Sequence, residues 1–176
     1  MESPDGRGLS NDGEARTSDC PRIVDGQDHL EDFRRLVQEY LDTEVIGGRG
    51  LNVDFQHPDQ ELADLPGSYA RPTGAMLLAY VGDAPAACMG YRRIDETTCE
   101  LKRLYVRPAY RGRHLASMLF RESCALARRA GYQRAVLDTL DSMTTALALY
   151  ERFGFTRCGA YYDDPLPGAL FFAKYL

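Results

Sequence analysis

The chain has 176 residues, 44% of them hydrophobic, which is enough to bury the core of one domain. Twenty-six acidic against 21 basic side chains leave a net charge of −5, far from the strongly basic surface of a nucleic-acid binder. No apolar run reaches the length of a bilayer span, and the opening Met-Glu-Ser-Pro-Asp has neither the basic start nor the apolar stretch of a secretory signal, so a cytoplasmic protein without a membrane partner is expected.

Residues 1–20 hold five acids against two arginines and almost no large apolar side chain, so a disordered tail is expected there and a single domain over 21–176. Arg22, Ile23 and Val24 read as a short strand, Asp25-Gly26 as a turn and Asp28 as a candidate helix cap. Leu30, Phe33, Leu36, Val37, Tyr40 and Leu41 then recur at helical spacing until Gly47, Gly48 and Gly50. Across 51–74, single apolar residues alternate with Pro58, Pro66, Gly67, Pro72 and Gly74, a loop-rich stretch with room for a short helix over 58–65. Ala75–Val81, Ala84–Tyr91 and Thr98–Val106, separated by Gly82-Asp83 and Asp95-Glu96, predict a three-stranded antiparallel meander.

The third of these strands leads into the most distinctive stretch, Glu100 to Ala116. Pro108 lacks the N–H a central strand needs and stops the strand near Arg107. Leu115, Met118, Leu119, Ala125 and Leu126 form a helical stripe that places a helix start around Arg113. Arg111, Gly112 and Arg113 therefore sit where a helix exposes unpaired N–H groups and its positive dipole end, a site suited to phosphate or pyrophosphate. Gly131 closes the helix, and Arg134–Asp138 reads as a strand joined by a crossover, hence parallel to the one before it. A second helix carries Ser142 as candidate cap and Ala146, Leu149, Tyr150 and Phe153 on one face, and Gly154 ends it. Strands over Phe155–Cys158 and Gly168–Leu176 complete the chain, with Tyr161, Tyr162 and Asp163 in the loop between them, and the edge strands leave a homodimer open.

Two segments carry a resemblance to a known family. Val-Arg-Pro-x-Tyr-Arg-Gly-x-x-x-Ala, from Val106 to Ala116, is similar to motif A of the GNAT superfamily of acetyl-CoA-dependent N-acetyltransferases, and Ala146-x-x-Leu149-Tyr150-x-x-x-Gly154-Phe155 resembles the family's second motif. The resemblance is strong over 98–156 and looser from 22. It implies an α/β (α+β) fold, a mixed central sheet of about six to seven strands with helices on both faces. It further implies that Leu104, Tyr105 and Val106 pair with the pantetheine arm of acetyl-CoA, and that Arg111, Gly112, Arg113, His114, Leu115 and Ala116 wrap its pyrophosphate. His114 stands where the family usually has a central glycine, and a histidine is expected to serve there with φ negative. Met143 replaces an asparagine that often contacts the coenzyme.

Moving an acetyl group from a thioester to an amine needs a neutral amine, a polarised carbonyl and an acid for the departing thiolate. The resemblance assigns Glu100 as general base, against the alternative of a strand glutamate paired with Arg92 or Arg103, and Tyr150 as general acid, against the alternative of a core tyrosine. Backbone N–H groups near Val106 are expected to hold the thioester carbonyl. Tyr161, Tyr162 and Asp163 suit the amine acceptor, or form a packed turn; Asp54, His57 and Tyr69 are further acceptor-side candidates. Five cysteines without a CxxC pair are expected to be reduced thiols, and His29, His57 and His114 lack metal-ligand spacing, so no metal is expected. The resulting reading is an acetyltransferase acting on a small primary amine. A weak acyl-CoA binding or sensing domain, transfer of a longer acyl group, and a protein or peptide amine as acceptor are the alternatives.

Overall fold

The computed structural model describes residues 20–46, 58–163 and 165–176. Residues 1–19, the glycines at 47, 48 and 50, Asp54 and His57 lie outside the described residues. One seven-stranded mixed sheet organises the rest, with strand order β1-β2-β3-β4-β5-β7-β6. The strands are β1 Arg22–Asp25, β2 Ala75–Val81, β3 Ala84–Arg93, β4 Thr98–Val106, β5 Arg134–Leu140, β6 Thr156–Cys158 and β7 Ala169–Tyr175. Helices α1 Leu30–Tyr40, α2 Pro58–Ala63, α3 Leu115–Arg129 and α4 Thr144–Arg152 cover it.

Alternation along the central strands builds a core on each face. Along β2, Leu77, Ala79 and Val81 join one cluster with Leu115, Leu119 and Phe120 of α3 and Leu149 and Tyr150 of α4. Met76, Leu78 and Tyr80 join the other with Phe33, Leu36 and Val37 of α1, Leu62 of α2, and Leu65 and Tyr69. Both strands of the β2–β3 hairpin are buried on both faces, which is why they read as near-continuous apolar runs rather than alternating ones. None of the five cysteines is in a disulfide.

The predicted elements hold, with local shifts. β3 runs two residues longer than expected, to Arg93. The cap before α1 is His29 without a side-chain bond, while Asp25, not Asp28, accepts from the Gln27 N–H at 2.8 Å in the preceding turn. α3 starts at Leu115 rather than near Arg113, and α4 at Thr144 after Met143 rather than from Ser142. Gly131 and Gly154, at φ 97° and 79°, end α3 and α4 in the left-handed conformation that glycine adopts without penalty.

The feature that positions the site is the meeting of β4 and β5. Their parallel pairing covers only Thr98, Cys99 and Glu100 against Arg134, Ala135 and Val136. Beyond Glu100 the two strands part. On its other edge β4 is interrupted where Met89 faces both Arg103 and Leu104, between the pairs Cys88–Tyr105 and Gly90–Lys102. This is a β-bulge, and Arg103 takes φ 61° to make it.

Candidate active site

A cavity of about 120 Å³ fills the gap between the parted strands, lined by Lys102 to Leu104 of β4, Leu137 to Leu140 of β5, and Met143, Ala146 and Tyr150. A wider cavity of about 580 Å³ opens on the other side of Lys102, lined by Glu61, Ser68, Arg92, Arg93, Glu100 and Tyr161 among others. Lys102, Arg103 and Tyr162 border both. The two spaces meet at the middle of β4.

Tyr150 is 8% exposed and stands on the first cavity. It is held by ring contacts to Phe120 at 5.6 Å and Phe172 at 6.0 Å, and Phe120 in turn packs against Phe153 at 4.8 Å and Phe155 at 5.3 Å. Burial, reinforced by nearby Tyr40 and Asp138, pushes its phenol well above the usual tyrosine range, against the opposing hydrogen bond with Thr139. The shift favours the protonated hydroxyl, which can both donate and accept a hydrogen bond. Its place on the apolar face of α4 and its place on the cavity are both real, so the core and site readings of Tyr150 are not exclusive.

Glu100, 2% exposed, lies at the floor of the second cavity. Arg92 Nε donates to its Oε2 at 2.6 Å, while Tyr161 OH and Lys102 Nζ donate to Oε1 at 2.9 and 3.3 Å. Lys102 also reaches Asp138 at 3.2 Å, and Tyr162 OH donates to the second oxygen of Asp138 at 2.8 Å. Burial raises the Asp138 pKa, but Lys102 and the Tyr162 hydrogen bond outweigh it and leave the carboxyl below its usual range. Arg103 is not a partner of Glu100. It makes a two-pronged pair with Glu61 of α2, Nε and Nη2 at 2.7 and 2.9 Å, and Tyr69 OH donates to the same carboxylate at 2.9 Å. Burial opposes ionisation of Glu61, and the Arg103 pair and Tyr69 overcome it, so its pKa too is lowered.

One polar network thus joins α2, β3, β4, β5 and the loop before β7. Glu100, Tyr161 and Tyr162 were singled out from the sequence; Tyr69 also belongs to it, but buried behind Glu61 at 1% exposure rather than facing an acceptor. Asp163 is exposed at the rim. Glu61, Arg103, Lys102 and Asp138 were not singled out as site residues. Alternation would have placed Glu100 and Lys102 on one face of a strand, but nothing local announces the bulge that brings Arg103 to Glu61.

The anion loop is built differently. Gly112 takes φ 80°, and a Cβ there would meet nothing within 4 Å, so glycine is needed for conformation rather than space. His114 takes φ 60°, contrary to the negative φ expected of a histidine, and caps α3 through its backbone alone. The two left-handed residues set the entry into α3, whose first N–H groups have no acceptor within the helix. Leu115 is buried beneath this turn and Ala116 partly so. Arg111 Nε folds back onto the Val106 carbonyl at 3.2 Å, and Arg113 lies over the Tyr110 ring at 5.9 Å. Arg107, although part of the same basic run, is engaged elsewhere: it pairs with both oxygens of Glu39 on α1, at 2.8 and 2.6 Å. Leu104 lines the first cavity and Tyr105 packs in the opposite core beside Tyr40; on the β3 side Val106 is paired with Ala87 and the ladder is interrupted at Arg103–Leu104, while on the β5 side the pairing of β4 ends at Glu100.

Comparison with known proteins agrees with this architecture. A family model described as Acetyltransferase (GNAT) family matches residues 34–155. The chain is 39% identical over 144 residues to an uncharacterised N-acetyltransferase of Schizosaccharomyces pombe, covering 81% of this chain and 85% of that one. It is 31% identical over 137 residues to N-acetylaspartate synthetase of Danio rerio, covering 77% of this chain and 44% of that one. Among solved structures, PaiA N-acetyltransferase from Thermoplasma acidophilum in complex with coenzyme A superposes with a TM-score of 0.68 at 16% identity, over 89% of this chain and 99% of that one. The chain belongs to the GNAT acetyltransferase family, and it is an acyltransferase of the N-acetyltransferase type.

Proposed function

We propose that the protein transfers the acetyl group of acetyl-CoA to the primary amine of a small molecule by direct attack. The observation that carries this reading is the parting of β4 and β5 after Glu100, which opens a cavity with Tyr150 on it and leaves the β5-side edge of Leu101–Val106 without a strand partner. Such an edge can accept an extended amide-bearing arm as an added strand. At the end of that edge, the first turn of α3, reached through Gly112 and His114, suits a pyrophosphate. The coenzyme A complex of the Thermoplasma protein supports the same ligand here.

In the proposed reaction the amine nitrogen attacks the thioester carbonyl carbon, forming the C–N bond. The C–S bond breaks, one proton leaves the nitrogen, and one reaches the sulfur. Glu100 is the proposed acceptor of the first proton, taken up directly or through Tyr161, whose hydroxyl already donates to it at 2.9 Å. Tyr150 is the proposed donor of the second. Leu104, Tyr105 and Val106 hold the arm through their backbone, and Arg111 to Ala116 hold the pyrophosphate. A small acceptor is supported by the name of the Danio rerio relative.

The test is thiol release from acetyl-CoA by the purified protein, against amino acids, polyamines, aminoglycosides and lysine peptides. Release that depends on one class of free amine supports the reading. Acetylation of peptides with every free amine inert would overturn the small-molecule acceptor, and coenzyme binding without release for any amine would overturn catalysis in favour of sensing.

A further inference from the structure

Lysine is scarce in this chain: of its 21 basic residues, only Lys102 and Lys174 are not arginine. Lys174 holds a helix end, donating to the Phe153 carbonyl at 2.7 Å. Lys102 stands in the middle of the site, and its surroundings show what a lysine does there that an arginine would not.

Glu100 and Lys102 alternate on one face of β4, and Asp138 lies on the same face of β5, two residues beyond Val136, the last β5 partner of Glu100. Had the ladder continued, Lys102 would stand opposite Asp138. Instead the strands part, and the Lys102 side chain, 9% exposed, spans the opening: Nζ donates to Glu100 Oε1 at 3.3 Å and to Asp138 Oδ1 at 3.2 Å. It borders both cavities. An ammonium is a compact charge with three donors and can serve two carboxylates at once. A guanidinium fork instead matches one carboxylate with two parallel bonds, as Arg103 does on Glu61.

The other charges around the pair do not replace this bridge. From β3, Arg92 Nε reaches the second oxygen of Glu100 at 2.6 Å, and its Nη1 lies 3.9 Å from Glu61. Arg103 of β4 is engaged with Glu61 of α2. From the loop before β7, Tyr161 donates to Glu100 and Tyr162 to Asp138, and Asp163 adds a further acid at the rim. Among the described residues, Lys102 is the only cation paired with Asp138 and the only one that touches both acids. Without it, two ionised carboxylates would face each other in a poorly solvated gap, and such a pair takes up a proton at a higher pH.

We propose that Lys102 is a positioning residue of the transfer: by bridging Glu100 and Asp138 it keeps both ionised side by side, so that Glu100 holds no proton when the acceptor arrives at neutral pH. This rests on the acetyltransferase reading above, with Glu100 as base, and adds the residue that sets the charge of that base.

The experiment is the pH profile of kcat/KM for an amine that supports thiol release, at saturating acetyl-CoA, in variants that separate charge from shape. Lys102→Met should lower kcat/KM at neutral pH at least tenfold and move the acid limb up by about one pH unit or more, with the deficit shrinking at high pH. Lys102→Arg keeps the charge and should leave the acid limb within about half a pH unit of the parent, whatever its fork does to kcat. Adding Asp138→Asn to Lys102→Met removes the facing charge and should bring the limb part of the way back. Asp138→Asn alone leaves Lys102 wholly to Glu100 and should hold the limb or move it to lower pH; this variant decides the matter where Lys102→Met does not fold. An acid limb unmoved in Lys102→Met, a loss of equal size at every pH that Asp138→Asn does not relieve, or an upward move in Asp138→Asn would overturn the inference and leave Lys102 as a brace between the strands. Those outcomes leave the acetyltransferase reading intact. A Glu100→Gln loss of equal size at every pH would remove Glu100 as base and this inference with it, and no thiol release with any amine would overturn the transfer itself as well.

Discussion

The two halves of the site lie on either side of β4 and are made by different physics. On the proposed coenzyme side the groups offered come from one stretch of chain, Leu104 to Ala116, and mostly from backbone: a strand edge, two left-handed residues and the start of a helix. On the acceptor side they come from side chains far apart in sequence, Glu61 with Arg103, Glu100 with Tyr161 and Asp138 with Tyr162. A backbone site tolerates change in its side chains but not in its φ angles. A buried ionic site tolerates neither loss of a partner nor a shift in register, because each charge left unpaired in the interior is costly. Substitutions on the two sides should therefore fail in different ways.

The largest effect is expected at the Glu61–Arg103 pair. Glu61→Ala leaves the Arg103 guanidinium, 5% exposed, without its two-pronged partner, and truncation of a buried pair costs about 3–5 kcal/mol. It also frees the bulge that Arg103 makes at φ 61°. A urea titration should show the loss, and a cost under about 1 kcal/mol would place the pair among weak surface bridges instead. The same residues set the acid limit. Glu61 and Asp138 have folded pKa values below their ordinary 4.5 and 3.8. The stability they contribute is complete above those ordinary values and is lost as pH falls through the lowered ones. The contribution of these two groups to the unfolding free energy should therefore be full and independent of pH near neutrality, and the free energy should fall at strongly acid pH, with a shallower fall in Glu61→Gln. An equal slope in that variant would show that Glu61 does not contribute.

Next is Glu100→Gln, which keeps the shape of the side chain and removes its capacity to take a proton. Turnover at neutral pH should drop by about 10²-fold or more, a typical contribution of a positioned base. The deficit should shrink at high pH, where more of the acceptor amine, with a pKa of about 10, is already neutral. A loss of the same size at every pH would mean that Glu100 acts by holding Arg92, Lys102 and Tyr161 in place.

These differences explain what could be read from the chain alone. The seven strands, the crossover, the loop and the second motif were legible because each is local: an apolar period, a proline stop, a glycine at a helix end. Glu100 and Tyr150 could be named by their offset from those motifs. Arg103 could not. Its partner is 42 residues away, and the bulge that turns it toward Glu61 leaves no glycine in the sequence to mark it. Lys102 and Asp138 likewise become a pair only when β5 is laid parallel to β4.

A smaller effect is expected at Tyr150→Phe. The ring contacts with Phe120 and Phe172 are kept, so stability and coenzyme affinity should change little. If the hydroxyl protonates the leaving sulfur, kcat should fall about tenfold or more, equivalent to about 1.4 kcal/mol of transition-state stabilisation. Unchanged turnover would leave Tyr150 as a core residue that borders the cavity.

The smallest effect isolates the backbone side of the site. His114 occupies a left-handed conformation that costs a non-glycine residue about 1–2 kcal/mol. His114→Gly removes that strain but also gives the unfolded chain more freedom, worth about 0.5–1 kcal/mol in the opposite direction, so the net gain in stability should be no more than about 1.5 kcal/mol. Coenzyme affinity discriminates more sharply than stability. If His114 serves only by its N–H and its φ, glycine offers both with less crowding, and binding measured by calorimetry should hold or tighten. Weaker binding would mean that the imidazole itself contacts the phosphates. The control is Gly112→Ala, at φ 80° with open space around the Cβ: the cost there is conformational alone, so it should loosen the loop and weaken coenzyme binding even though no atom is displaced.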